Sequence, residues 1–262
     1  MGKATTFSLP FLKKVEVAKD TYSFYFDMTK IKFFAKGGSQ PKADEHLDQA
    51  SGWDFTPGQY VRMILPHKSD DRGTSRYFTI SSSPQEKKFL IFTIRIFDSS
   101  FKRTLHDLKP GNLVQFFGPM GWFILPEHEP LEKVFLAGGI GVTPFHSLLQ
   151  HLKNEKLKEP ITLFISFKKK EEIIFFDDLQ KITKKNNKIR VIYTLTQEKG
   201  VSDWAGEVGR VTGAMFAKYQ IDIQKPVFYV VGSPNMVAGT RDLLFELGID
   251  EERIQVEDFT GY

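Results

Sequence analysis

Near residue 130 the apolar residues of this 262-residue chain change their spacing, and no single layer architecture accommodates both patterns. Upstream, short runs alternate with turn residues: "FLKKVEV", "TYSFYFDM", "QYVRMILP", "RYFTISSS", "FLIFTIRIF" and "NLVQFFG". Six such runs punctuated by Gly and Pro predict a six-stranded antiparallel barrel. A helix over "FKRTLHDL" fits between the fifth and sixth runs, ended by Pro110 and Gly111. Downstream, "KVFLA", "ITLFISF", "IRVIYTLT", "PVFYVV" and "RIQVEDF" are buried-type runs separated by helix-length segments. They predict a five-stranded parallel, doubly wound α/β sheet. The change falls in "LPEHEPLEK", which sets the expected domains at 1–126 and 127–262. The polar segment from Lys36 to Trp53 is too long for a hairpin loop and reads as a surface insertion.

Composition narrows the chemistry. Hydrophobic content of 41% and charged content of 26% describe an ordinary globular chain. No run reaches the roughly 18 apolar residues of a membrane span, and the N-terminus lacks the apolar centre of a secretory signal, so a cytoplasmic protein without a span is expected. The absence of cysteine excludes disulfides, thiolate metal sites and iron–sulfur clusters within these residues. Redox chemistry would then need a bound organic cofactor or a partner. The net charge of +4 includes the lysine runs "KKKEE" and "KKNNK", which carry no interleaved aromatics for base stacking. They read as solvated surface, leaving an acidic protein or a phosphate-bearing ligand as the partner the charge favours, and no nucleic acid. The six histidines show no metal-ligand spacing and no GxSxG elbow is present, so neither a metal site nor a serine hydrolase is expected.

Two segments carry the functional signal. "FLAGGIGVTPFHSLL", residues 135–149, runs from a buried strand through Gly138, Gly139 and Gly141 into a helix with Pro144 in its first turn. At the carboxyl edge of a doubly wound sheet, such a turn lets a phosphate or ring approach the backbone, and the helix N–H groups face an anion. The spacing does not reproduce GxGxxG, and glycines also serve packing. In "RYFTISSSP", Arg76 offers a planar fork to a diphosphate, with Phe78 on the same strand face and Thr79 on the other. A plain strand with a surface arginine would read the same in isolation.

"PGQY" (57–60), "RYFT" (76–79), "GPMGWF" (118–123), "GGIGVTP" (138–144), "YVVGSPNM" (229–236) and "EDFTGY" (257–262) follow one another in an order that resembles the ferredoxin-NADP reductase superfamily. These are flavoproteins with an FAD barrel followed by a pyridine-nucleotide domain. The resemblance implies that Arg76 binds the FAD diphosphate, Phe78 lies along the flavin in place of the family tyrosine, and Thr79 hydrogen-bonds near flavin N5. Tyr77 and Ile94 join them as flavin contacts, and Lys102 stands where the family has a phosphate-binding serine. Gly139, Gly141, Thr143 and Pro144 would form the nicotinamide loop, faced by Gly232, Ser233 and Met236. Ser233 and Pro234 also read as an N-cap and first helical turn. Val231 occupies the position where many relatives keep a cysteine.

The likeness further implies that Glu257 supplies a carboxylate near Thr79 and that Phe259 or Tyr262 covers the flavin or meets the adenine, with Thr79, Glu257 and Phe259 as the catalytic set. Lys168 and Lys169 favour NADPH over NADH, while Thr196 and Gln197 offer hydrogen bonds without charge. The implied activity is hydride transfer between NAD(P)H and FAD, with single electrons passed to an external, acidic carrier such as ferredoxin or flavodoxin. The alternative is a flavin-bearing electron-transfer subunit of a larger redox complex.

Overall fold

Strand β1 (Thr5–Ala18) changes partners halfway along its length. Its first part, Thr5 to Pro10, pairs with β7 (Leu113–Met120), and the remainder pairs with β2 (Thr21–Asp27). Pro10 has no N–H to give to a ladder, and a register shift follows between Phe11 and Lys13, so the strand bends where the pairing changes. The alternation upstream of Pro10 is interrupted by that proline, which is why the sequence pattern starts this strand six residues late.

The computed structural model describes residues 3–34, 52–66, 73–97, 99–124, 132–157, 159–198 and 203–260. The chain divides into two units, Met1–Ile124 and Leu125–Tyr262. In the first, β3 (Lys32–Phe33), β4 (Tyr60–Ile64), β5 (Ser75–Thr79) and β6 (Phe89–Arg95) complete an antiparallel sheet in the order β5-β4-β7-β1-β2-β6, with β3 attached to β1. The two outer strands are joined beyond β5, where the Ser81 N–H donates to Ile91 O (2.9 Å). Among the described residues seven strands therefore stand where six were expected. The extra one, β3, is two residues long and carries no readable period.

Phenylalanine fills this barrel. Phe7, Phe26 and Phe92 lie around Phe116 with ring centroids 5.4, 5.1 and 5.6 Å away, all four fully buried. Burying each stabilises the fold by about 2–3 kcal/mol before entropy is counted. Trp53 also belongs here: it is 8% exposed and its Nε1 donates to Gly118 O (3.1 Å). The end of the expected surface insertion is thus core, and residues 36–51 of that segment lie outside the described residues.

The second unit is a parallel sheet in the order β11-β10-β9-β8-β12-β13. Its strands are β8 (Lys133–Gly138), β9 (Ile161–Phe167), β10 (Ile189–Leu195), β11 (Glu207–Val208), β12 (Val227–Gly232) and β13 (Ile254–Asp258). Helices α2 (Thr143–Leu152), α3 (Phe176–Lys185), α4 (Gly213–Lys218) and α5 (Pro234–Glu246) connect them, and α1 (Ser100–His106) belongs to the barrel. Val134, Leu136, Phe164, Phe228 and Val230 pack toward Phe216 of α4 and Leu244 of α5. Phe135 faces the opposite way and stacks on Phe145 of α2 at 4.5 Å. Both faces of the central strands are covered, so β8, β9 and β12 are almost wholly apolar and buried. The sixth strand, β11, again has only two residues. Its place is set by the Gly209 N–H on Leu195 O (2.8 Å) and the Thr194 hydroxyl on Gly209 O.

His146, a histidine without a metal role in the sequence reading, has a packing role. Its ring stacks on Phe175 at 3.7 Å and its Nε2 lies 3.5 Å from Asp178 Oδ2, joining α2 to α3. No helix among the described residues is long and apolar enough to cross a membrane.

Inside the barrel, the Thr93 hydroxyl bonds Ser23 Oγ (2.8 Å) and Ser81 Oγ (3.1 Å), tying β2 and β6 to the closing segment. Thr93→Val keeps the volume but leaves buried Ser23 without this partner. The expected cost is about 1–2 kcal/mol, measured as a fall of several degrees in melting temperature.

Candidate active site

On β5, side chains alternate between two faces. Arg76 and Phe78 converge on Phe101 of α1: the guanidinium carbon lies 5.2 Å from the Phe101 centroid, and the Phe78 ring 5.8 Å from it. Arg76 Nη1 also donates to Gly73 O (3.0 Å) and Ser75 O (2.7 Å). The fork is therefore oriented by backbone carbonyls and backed by a fully buried ring. One turn of chain brings a second cation to the same helix. Ser99 caps α1 by accepting from the Lys102 N–H (3.2 Å), and Lys102 Nζ sits 4.5 Å from the Phe97 centroid. Two cations seated on aromatic faces around one helical turn suit a diphosphate.

Tyr77 and Thr79 lie on the other face of β5. Tyr77 is 63% exposed and meets Tyr60 edge to face at 5.7 Å, while Thr79 is the register partner of Tyr60. Ile94 belongs to the same core cluster as Phe101, against which Phe78 packs. It is 3% exposed and belongs to the barrel core, so its side chain is committed to packing.

In the second unit the chain leaves β8 at Gly138 and makes a tight turn, Gly139–Val142, into α2. Gly139 has φ +54, a left-handed conformation that disfavours other residues, and a Cβ there would meet nothing within 4 Å. Gly141 is required for the opposite reason: a Cβ would stand 2.4 Å from Val231 O of β12. Gly138, Gly139 and Ile140 are partly accessible, whereas Gly141, Thr143 and Pro144 are buried. The Thr143 hydroxyl donates to Ile140 O (3.0 Å), so it serves the turn. The accessible backbone of the loop is thus its first half.

Gly232 ends β12 beside this turn, and the Met236 side chain lies against both Gly138 and Gly232. Ser233 is the N-cap residue of α5, but its side chain makes no capping bond and is exposed; its carbonyl accepts from the Val237 N–H (2.9 Å). Val231 is fully buried. Lys168 is exposed at the end of β9, where its carbonyl accepts from the Gln197 N–H (3.0 Å).

Glu257 pairs in register with Val231 on β13, and the Phe259 N–H donates to Gly232 O (2.8 Å), so the tail is bound to the same sheet edge. Glu257 Oε2 is buried and has no hydrogen-bond partner among the described residues. Burial pushes its carboxyl up to about 7. An acid in that range can hold or release a proton near neutral pH. Tyr262 lies outside the described residues. Among the described residues no acidic or histidine cluster could hold a metal.

The sequence reading missed two residues of this set. Phe101 seats both Arg76 and Phe78, and Tyr60 flanks Thr79 and Tyr77. Tyr60 ends the quoted "PGQY" and Phe101 opens the quoted "FKRTLHDL", but an aromatic residue in a chain with 25 Phe carries no mark of its role.

The comparisons identify the two domains. Residues 46–124 match the family model of an oxidoreductase FAD-binding domain, and residues 135–242 that of an oxidoreductase NAD-binding domain. The chain is 25% identical over 205 residues to the F component of the Na(+)-translocating NADH-quinone reductase of Idiomarina loihiensis, covering 73% of this chain and 50% of that protein. To the same component from Actinobacillus pleuropneumoniae it is 26% identical over 257 residues, covering 88% and 61%. The chain thus spans between half and about three fifths of these curated relatives. Among solved structures, the Amycolatopsis cytochrome P450 reductase GcoB superposes with a TM-score of 0.79 at 18% identity, over 100% of this chain and 72% of that one. Ferredoxin-NADP+ reductase from Plasmodium falciparum gives 0.70 at 16% identity, over 98% and 96%. The structural likenesses show a shared fold.

Two outcomes are expected. Gly141→Ala forces the turn away from Val231 O, lowering stability by about 1–3 kcal/mol and NADH affinity at least tenfold, as read by thermal melts and equilibrium titration. Glu257 binds its proton more tightly folded than unfolded, so its contribution reduces stability as pH rises from about 4.5 to about 7 and levels off above. Glu257→Gln lacks that loss, so its melting temperature relative to the parent should be several degrees higher at pH 8 than at pH 5. A difference independent of pH would contradict the assignment.

Proposed function

The chain belongs to the ferredoxin-NADP reductase superfamily, and from that premise we propose that it is the NADH-oxidising, flavin-bearing electron-transfer component of a larger redox assembly. That it is an FAD-dependent NAD(P)H oxidoreductase follows from its two domains. The proposal concerns its residues, its acceptor and its setting.

The observation that carries it is the ordered pair of domains in a chain that contains no cysteine. No thiolate-held cluster exists within these residues to receive electrons, so the acceptor lies elsewhere. The similar curated proteins are named as subunits of an NADH-quinone reductase, which supports an acceptor within an assembly. The stand-alone reading, with a small acidic carrier such as ferredoxin or flavodoxin, rests on a net charge of +4 and on no identified surface.

The donor set fits the cofactor. Arg76 and Lys102, held on Phe101 and Phe97, bind the FAD diphosphate as two fixed positive charges. Phe78 contributes apolar packing along the flavin, and Thr79, with Tyr77 and Tyr60 beside it, a hydroxyl near N5. When bound, FAD accepts a hydride from reduced nicotinamide and releases its two electrons singly. Gly139 opens backbone to the nicotinamide half of the dinucleotide, Gly141 and Thr143 hold the turn's shape, and Met236 and Ser233 line its other side. Glu257 holds a proton at Oε2, with its burial keeping that proton in place near neutral pH. Phe259, bonded through its N–H to Gly232, positions an aromatic ring at the same edge. Val231 is a packing residue, so alignment of the reactants rests on backbone and not on a thiol.

Anaerobic stopped-flow mixing of the FAD-loaded chain with NADH tests this directly. Bleaching of the flavin absorbance within seconds is expected, followed by slow turnover with added ferredoxin or flavodoxin. Fast, saturable reduction of either carrier would replace the assembly reading with the stand-alone one. A flavin that stays oxidised would refute both.

A further inference from the structure

Helix α2 starts where the turn Gly139–Val142 ends, and His146 lies in its first turn. The imidazole is 7% exposed and rests flat on the Phe175 ring. Phe175 closes the segment that follows β9 and opens α3, its carbonyl accepting from the Leu179 N–H (2.9 Å). Its backbone has φ +60, a left-handed conformation that a bulky residue keeps only where its surroundings hold it. The stacked imidazole is one such hold.

One ring nitrogen of His146 has two partners that demand opposite things of it. Gln150 Nε2, one turn along α2, lies 3.3 Å from His146 Nε2, and Asp178 Oδ2, in the first turn of α3, lies 3.5 Å from it. Lys153 Nζ donates to Gln150 Oε1 (2.9 Å), which turns the amide nitrogen toward the imidazole. An amide nitrogen only donates, and a carboxylate only accepts. A neutral ring with its proton on Nδ1 accepts from Gln150 and is bonded within its own helix. A ring that takes a further proton from solvent, at Nε2, donates to Asp178 and ties α3 to α2. That tie is also a charge pair, and an imidazolium lying on Phe175 gains from the negative face of the ring.

The surrounding charges bound the effect. Lys181 of α3 lies 3.9 Å from Asp178 Oδ1, and Lys153 stands on the α2 side. Both oppose a further positive charge on the imidazole, while Asp178 favours it at closer range. The hydrogen bond with His146 is the main reason the Asp178 carboxyl is held below the usual carboxylate range, and the two lysines add to it. Asp177, the neighbouring acid, acts on Tyr193 of β10 instead. His151, five positions along α2, points to another side of the helix. Register places Phe135, Ala137, Leu163 and Ile165 on the α2 side of β8 and β9, with Lys133 at the opposite end of that face from the turn. The tie exists while the imidazole is charged and the carboxylate ionised. It is lost as pH rises and the ring gives up its proton, and the lowered Asp178 preserves it on the acid side.

We propose that His146 is a positioning residue for the dinucleotide turn, and that its protonation fastens the segment after β9 to the helix after β8 and tightens nucleotide binding as pH falls. β8 and β9 are neighbours with Gly138 opposite Ser166, so the turn and the segment leave one sheet edge side by side. Releasing Phe175 lowers the fraction of molecules that hold both in the binding form, and apparent affinity falls by that fraction. The inference rests on the reading of this edge as the dinucleotide site.

Calorimetric titration of the FAD-loaded full chain with ADP-ribose tests it, since this probe carries the adenosine and the diphosphate and its binding needs no turnover. Histidine ordinarily changes charge between about pH 5 and 8, so pH 6 and pH 8 are compared. The dissociation constant of the parent should be about fivefold higher at pH 8 than at pH 6. His146→Arg keeps a cation beside Asp178 at both values and should bind at pH 8 about fivefold more tightly than the parent. Asp178→Asn removes the acceptor and should bind at pH 6 about fivefold more weakly than the parent. Glu257 also titrates in this unit but contributes alike to all three proteins, so the differences between them isolate His146. In ¹⁵N-histidine spectra, with His146 assigned by its loss in His146→Arg, the neutral ring should carry its proton on Nδ1. A neutral ring protonated at Nε2, or pH ratios that agree within twofold among the three proteins, would overturn the proposal and leave the oxidoreductase reading intact. Failure of ADP-ribose to bind at either pH would overturn both the proposal and the reading of this edge. If ADP-ribose binds as expected but NADH leaves the flavin oxidised, the proposed function fails and the assignment of His146 stands.

Discussion

The contact between the Gly141 backbone and Val231 O holds the carboxyl edge of the parallel sheet in its working form. Because no side chain separates them, the turn after β8 packs directly on the end of β12. The turn can then pass into α2 within four residues, burying Thr143 and Pro144 beneath it. Gly138 and Gly139 are left as accessible backbone. A β-carbon at 141 would separate the two strand ends and move every group built on them, including Met236, which lies against both Gly138 and Gly232. The tail depends on the same edge through Phe259 and through Glu257, the register partner of Val231.

The barrel solves a different problem, that of holding positive charge still. An arginine in water samples many rotamers, and fixing it costs entropy. Here the guanidinium is flanked by the Phe101 ring and two backbone carbonyls, so much of that ordering is complete before a ligand arrives. Lys102 on Phe97 repeats the device on the adjoining turn. Both depend on the aromatic content of the unit. Phe101 is buried, so the ring that orients the cation is also part of the core and cannot drift.

One group is left in an uncomfortable state. Glu257 has a buried carboxylate oxygen with no partner among the described residues, and burial raises its proton affinity into the neutral range. A purely structural position would be better served by an amide or an apolar side chain. A carboxyl poised there is consistent with a proton-handling role in the same unit that binds the nicotinamide, at some expense of stability above neutral pH.

Much of this was legible in the residue order, because strand and helix periods, glycine turns and the Arg76 to Thr79 motif are local properties of the chain. The two-residue strands β3 and β11 were not legible, since two residues carry no period and are defined only by their partners. The bend of β1 at Pro10 read as a strand end, and Trp53 read as part of a surface loop. That Ile94 is buried in the barrel core and that the Thr143 hydroxyl donates to Ile140 O were not legible either. By itself the sequence determined the two fold types and the exclusion of thiolate chemistry, which follow from local spacing and composition, while the classes of cofactor came from the family resemblance that its motifs carry. Only the tertiary structure decided that Phe101 seats Arg76, that Val231 is sealed, that Glu257 lacks a partner and that Glu198 sits on the Lys170 N–H. Those facts join residues far apart in the chain, 28 positions for Lys170 and Glu198, and depend on burial and close contact, which residue order does not encode locally.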